Sequence, residues 1–191
     1  MTKFSEIAQP GMILNMSTGT MLGSLIRAAL GKAFIEINGG VGDKKDCPNH
    51  DAIVVEYGGR LFVGDAVWPR CELTPIAKYD QWLKSGEVYN LRVLRVRRAT
   101  TAQHEAAAQW WLGNVNGKSY DAYAFPRLLW KATVGDWLPC AAGMEWAWYC
   151  SEGVKGAFDN AGIEVYNKNN PTPLTTYKRM LSGVLDYVAK L

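Results

Sequence analysis

Three side chains in this sequence belong to types that do covalent chemistry together: a thiol, an imidazole and a carboxylate. Cys150 stands in Tyr149-Cys150-Ser151-Glu152, ahead of a helix-like stretch. His50 leads the apolar run His50-Asp51-Ala52-Ile53-Val54-Val55-Glu56-Tyr57, and Asp65 closes the next run, Arg60-Leu61-Phe62-Val63-Gly64-Asp65-Ala66. An imidazole that takes a thiol proton, itself oriented by a carboxylate, is the arrangement of a cysteine nucleophile. The chain order is His, Asp, Cys, with the nucleophile last.

The elements around these residues must bring them together. Two apolar runs separated by Gly58-Gly59 predict a β-hairpin, which puts His50 and Asp65 near one of its ends. Cys150 is expected at the first turn of a helix that ends near Asn160-Ala161-Gly162. There, unpaired N–H groups and the positive end of the helix dipole favour thiolate over thiol. Glu152 competes for that positive end and must point away from the sulfur. Of the remaining cysteines, Cys71 and Cys140 lack a helix-start context and Cys47 lies too near His50 along an irregular loop, so each reads as structural or incidental. Cys47 and His50, three residues apart, could join Cys71 in a metal site. No paired C-x-x-C spacing supports one, so no metal and no other cofactor is expected.

Elsewhere, Met12 to Met16 reads as a strand, and Thr20 to Leu30 as a helix stopping at Gly31. Residues 32–49 are expected to form an inserted loop before His50. Its glycine- and charge-rich part, Asn38 to Asp46, is a surface insertion or a lid over the site. Thr74-Pro75 predicts a cap and first-turn proline for a helix ending near Gly86. Glu87 to Arg97 reads as a strand whose Arg92, Arg95 and Arg97 form a solvated row. Residues 101 to 112 read as a helix carrying an exposed His104. A turn follows at Gly117 to Asp121, then an apolar helix around Phe125 to Lys131. The tail from Pro173 to Leu191 suits an amphipathic helix.

A chain of 191 residues, 48% of them hydrophobic, supports one core and a single domain over 1–191. No apolar run reaches the length of a membrane span, and the N-terminus has no secretory pattern. The protein is therefore expected in the cytoplasm unless a phage or secretion system delivers it elsewhere. A net charge of +3 does not point to nucleic acid. Oligomeric state is not encoded in any feature of the chain.

Taken in order, these elements resemble the permuted branch of the NlpC-type papain-like cysteine hydrolases, the YiiX-like group. The matching elements begin with the Gly-led strand Gly11-Met12-Ile13-Leu14, the turn Ser17-Thr18-Gly19 and the helix Leu25 to Gly31. The His50 strand and the Asp65 strand end follow. Then come Gly117-Lys118-Ser119-Tyr120-Asp121, the Tyr149 to Glu152 box, and Asn170-Pro171-Thr172-Pro173-Leu174. The resemblance implies an α+β, circularly permuted papain-like fold: a small antiparallel sheet packed against helices, with the nucleophile at a helix N-terminus. It implies Cys150 as nucleophile, His50 as base and then acid, and Asp65 as the orienting residue. Tyr120 would bind substrate or assist the oxyanion, with Tyr149 also on the substrate side. The sequence departs from the group at Gly11-Met12, where many relatives have Gly-Asp, in the longer 32–49 segment, and at Asp65, where Glu is frequent. The implied activity is a cysteine peptidase or amidase, with cell-wall (peptidoglycan) peptide as the leading substrate. The alternatives are a lipid acyltransferase or lipase and a catalytically silent binding or virion-structural module. Trp130, Trp137, Trp146 and Trp148, close to Cys150 in sequence, bear on the lipid alternative.

Overall fold

The structure is a computed structural model, and residues 3–121, 147–166 and 171–191 are described. Strand β2 (His50–Tyr57) is buried from Asp51 to Val55. It pairs antiparallel with β3 (Arg60–Ala66), with Tyr57 opposite Arg60. The two residues between them, Gly58 and Gly59, both have positive φ (60° and 72°), the conformation that a two-residue hairpin turn demands. β1 (Ile13–Thr18) lies on the other side of β2. β4 (Cys71–Pro75), β5 (Val88–Val96) and β8 (Leu185–Lys190) complete a six-stranded sheet in the order β4-β3-β2-β1-β5-β8, every neighbouring pair antiparallel. β6 (Ser119–Tyr120) and β7 (Ala147–Trp148) form a separate short parallel pair.

Six helices are described: α1 (Phe4–Ile7), α2 (Met21–Ile37), α3 (Ile76–Ser85), α4 (Thr101–Asn114), α5 (Cys150–Asn160) and α6 (Pro173–Leu181). They cover both faces of the sheet, which explains why β2 is apolar at consecutive positions rather than alternating with polar ones. Ile53 and Val55 face α4 and α5, in a core with Trp111, Val154, Ala157 and Phe158. Ala52 and Val54 face the other way, onto Phe4, Ile76 and Tyr79. Full burial of each large apolar side chain contributes about 1.5–3 kcal/mol. On the first face α4 comes so close that a Cβ at Gly64 would meet the Trp111 ring at 2.7 Å. The expected α+β architecture, an antiparallel sheet packed against helices, is thus present.

Several boundaries differ from the sequence reading. α2 does not stop at Gly31 but runs to Ile37, so the first part of the 32–49 segment is helical. Gly31 is buried inside the helix beneath the Lys44 side chain, and its role there is close approach rather than termination. The rest of that segment turns through Gly39, Gly40 and Gly42, all at positive φ, and a single 3-10 turn at Lys44–Asp46. Thr74 and Pro75 belong to β4, and Pro75 occupies the N-cap of α3 rather than its first turn. Its C-cap, Gly86, is left-handed (φ 79°), as expected of a helix stop. The tail is helical only through Leu181. Leu185–Lys190 instead forms β8, whose backbone completes the edge of β5. His104, read as exposed, is 2% exposed: its Nδ1 lies 3.0 Å from the Gly11 carbonyl and its ring stands edge-on to Phe158. Of the arginine row, Arg92 is buried, its guanidinium over the Tyr177 ring and hydrogen-bonded to the carbonyls of Asn90 and Asp46. The apolar helix expected around Phe125 to Lys131 lies outside the described residues.

Candidate active site

The hairpin delivers its two polar residues to one place. His50 opens β2 and Asp65 lies one residue from the end of β3. His50 Nε2 is 3.0 Å from Asp65 Oδ1, with side chains 12% and 3% exposed. The position of His50 is held through the residue before it. Asn49 Oδ1 accepts the Thr18 N–H at 2.9 Å and Asn49 Nδ2 donates to the Thr18 carbonyl at 3.1 Å, pinning the residue before His50 to the end of β1. Asp65 has a second partner that the sequence did not indicate: the buried Tyr79 hydroxyl of α3 donates to the same Oδ1 at 2.7 Å. Burial raises the Tyr79 hydroxyl well above its ordinary range, and the adjacent Asp65 charge adds to this, so it remains a donor.

Cys150 is the first residue of α5, as the sequence predicted, and is 6% exposed. Tyr149 sits at the N-cap and supplies no side-chain cap to the first-turn amides. Cys150 is near enough to His50 to act on its protonation. Burial alone would lower the imidazole pKa, but hydrogen bonding to Asp65 and then the proximity of Cys150, with their charges, outweighs it and pushes His50 up to about 10. An imidazole held protonated at neutral pH is the counterion that a thiolate needs.

These groups open on a cavity of about 670 Å³. His50, Asp65, Cys150 and Tyr120 lie along its wall. Apolar groups also line it, among them Met21 and Ile26 of α2 and Val67 and Trp68 after β3. Met21 and Trp68 are exposed (82% and 67%). Glu72 and Glu87 also line the cavity, and among the described lining residues there is no lysine or arginine. Residues 38–46 do not line it, which favours the surface insertion over the lid, and Asp46 Oδ1 accepts from Asn90 Nδ2 at 2.8 Å.

Tyr120 reaches the site as expected, its backbone N–H bonded to the Pro69 carbonyl at 3.1 Å. Burial raises its hydroxyl, and the proximity of Cys150 raises it further. Tyr149 does not line the cavity; its ring packs in the α4–α5 core, 2% exposed. Cys71, treated as peripheral, is the buried first residue of β4 and close enough to Cys150 to sense its charge. Burial pushes the Cys71 thiol up to about 12, which keeps it protonated. Cys47 is buried in a different cluster, with Phe34, Leu174 and Tyr177, and is also raised to about 12 by burial. Cys140, Trp130, Trp137 and Trp146 lie outside the described residues. Among the described residues no group of three or more His, Cys, Asp or Glu side chains could hold a metal ion. No described helix is long and apolar enough to cross a membrane.

The sequence matches no known family profile and no curated protein. Among solved structures the chain is similar to the crystal structure of metalloprotein yiiX from Escherichia coli O157:H7, DUF1105. The match has a TM-score of 0.62 and 20% identity, and covers 96% of this chain and 97% of that one. At this identity the likeness is one of fold.

Proposed function

We propose that this protein is a cysteine hydrolase that cleaves an amide or ester through a thioester, on a circularly permuted papain-like fold. The observation that supports the reading is the position of His50, between Asp65 and Cys150 on the wall of one cavity. With Nε2 engaged by Asp65, Nδ1 is the nitrogen left for the thiol. His50 takes the Cys150 proton, and the thiolate attacks the substrate carbonyl to form a tetrahedral oxyanion. Uncapped first-turn amides of α5 and the Tyr120 hydroxyl are the donors for that oxyanion; loss of one such donor typically costs about 100- to 1,000-fold. On collapse, the carbon–leaving-group bond breaks and the departing amine or alcohol takes the proton from His50. Water then gives a proton to His50 and adds to the thioester. The acid leaves and the thiol is restored.

Two substrate classes share this chemistry. Resemblance to the NlpC-type hydrolases favours a peptide amide, with cell-wall peptide first. The apolar cavity wall, reaching exposed Met21 and Trp68, favours a substrate with an apolar acyl group, as a lipid ester or amide would have. A metal-dependent reading would take its cue from the similarity to yiiX. The described residues bring no such ligand set together. The deciding experiment is incubation with purified peptidoglycan and with lipid esters, using Cys150→Ala as control. Product from the wild type and none from Cys150→Ala is expected with one of the two. Equal product from both proteins would remove the assignment.

A further inference from the structure

Asp51 follows His50 on β2 and, by strand alternation, faces the opposite side of the sheet with Ile53. It is fully buried (0% exposed). Its Oδ1 accepts from Asn15 Nδ2 at 2.8 Å, and its Oδ2 accepts from Ser151 Oγ at 2.5 Å and Thr176 Oγ1 at 2.7 Å. The donors come from β1, α5 and α6. Two of them are themselves constrained: Asn15 Nδ2 also donates to the Pro173 carbonyl at 2.9 Å, and Thr176 Oγ1 lies 2.9 Å from the buried Tyr166 hydroxyl. Burial pushes the Asp51 carboxyl up, while the three hydrogen bonds and the nearby His50 charge pull it back.

A buried carboxylate is a costly way to fill a core, and an apolar residue of similar volume would serve packing as well or better. What distinguishes Asp51 is where its connections lead. It is covalently next to His50, and its shortest hydrogen bond is to Ser151, covalently next to Cys150. Ser151 Oγ in turn lies 3.9 Å from Cys150 Sγ. We propose that Asp51 is a positioning residue for the thiol–imidazole pair: by holding Ser151, it fixes the first turn of α5 and thereby the placement of Cys150 against His50. The inference rests on the thiol reading above.

The test compares Asp51→Asn, Ser151→Ala and Thr176→Val, reading the iodoacetamide alkylation rate of Cys150 against pH together with denaturant stability. Ser151→Ala removes the bond to α5 and leaves the other two in place, so it answers the question even if Asp51→Asn does not fold. Thr176→Val removes only the tie to α6. Misplacing reacting groups by about 1 Å can cost roughly 100-fold, so Ser151→Ala and folded Asp51→Asn should slow alkylation at least tenfold. Thr176→Val should lose stability while Cys150 keeps its wild-type pH–rate profile. A merely structural carboxylate would lower stability in all three variants and change the alkylation profile in none, and that result overturns the proposal. A wild-type Cys150 that reacts no faster than Cys47 or Cys71 overturns the thiol reading itself, and this inference with it.

Discussion

The Tyr79 hydroxyl and the His50 imidazole meet on one oxygen, Asp65 Oδ1, at 2.7 and 3.0 Å. Tyr79 is held there by its packing in α3, tilted against Phe4 and edge-on to Trp82. The tyrosine therefore shares the charge that Asp65 offers to His50, and it fixes the carboxylate plane at the same time. Tyr79→Phe should cost about 1.5–3 kcal/mol of stability, as expected for a hydrogen bond to a charged group. It should also concentrate the Asp65 charge on His50 and move the imidazole titration upward. An NMR titration of His50 reads the second effect; an unshifted curve would show that Tyr79 only packs.

Asp65 is the largest of the influences that favour the protonated His50 imidazole. Burial is the largest single influence on His50 and lowers its pKa; contact with Asp65 is the first influence that opposes it. Removing the carboxylate in Asp65→Ala leaves only Cys150 to oppose desolvation, so the imidazole pKa should fall and the cationic partner of the thiol should weaken. Alkylation follows the thiolate fraction, so the Cys150 rate at neutral pH should slow by about tenfold or more. A rate close to wild type would mean that Cys150 ionises without help from this pair.

The same pKa makes a stability prediction whose sign is fixed by linkage. His50 is raised from 6.5 to about 10 on folding, so between these values the native state holds a proton that the unfolded chain has lost. Stability from this group is complete below about 6.5 and is lost as pH rises through about 10. Replacing His50 by Gln removes the titrating group. The stability difference between wild type and His50→Gln should therefore shrink steadily across that window. Denaturant midpoints taken at several pH values would test it, and a difference that grows with pH would contradict the assignment.

Much of this arrangement was legible in the sequence because it is carried by local patterns. Gly58-Gly59 between apolar runs marks the hairpin, and the hairpin alone brings His50 to Asp65. The start of α5 was equally legible, since Cys150 opens a helix-like stretch that stops near Asn160-Ala161-Gly162. The features that escaped depend on contacts distant in sequence. Asp51 reads as an ordinary polar residue beside a histidine, and nothing local reveals that Asn15, Ser151 and Thr176 surround it. Tyr79 falls on an amphipathic helix where a tyrosine is unremarkable. His104, between Gln103 and Glu105, has exposed-looking neighbours, yet the α4 face it occupies packs on Gly11 and Phe158. The tail failed for a different reason. Residues 185–190 satisfy a helical pattern, but the open edge of β5 offers backbone hydrogen bonds that make a strand the better partner.

The Gly11 position gives a final prediction. It precedes β1, and its N–H donates to the Val54 carbonyl at 2.8 Å while its own carbonyl faces His104 Nδ1. Its φ is +77°, and a Cβ there would lie 2.3 Å from the His104 carbonyl oxygen. Gly11→Ala thus meets two penalties together: a left-handed backbone, which costs of order 1–3 kcal/mol, and overpacking against backbone that cannot rotate away, typically another 1–3 kcal/mol. The expected loss is about 2–6 kcal/mol, measured by urea denaturation. Because α4 is the element pushed aside, its partner α5 and therefore Cys150 should shift as well. Alkylation of Cys150 in the folded fraction should slow, whereas a variant of wild-type stability would mean that α4 is not seated on Gly11.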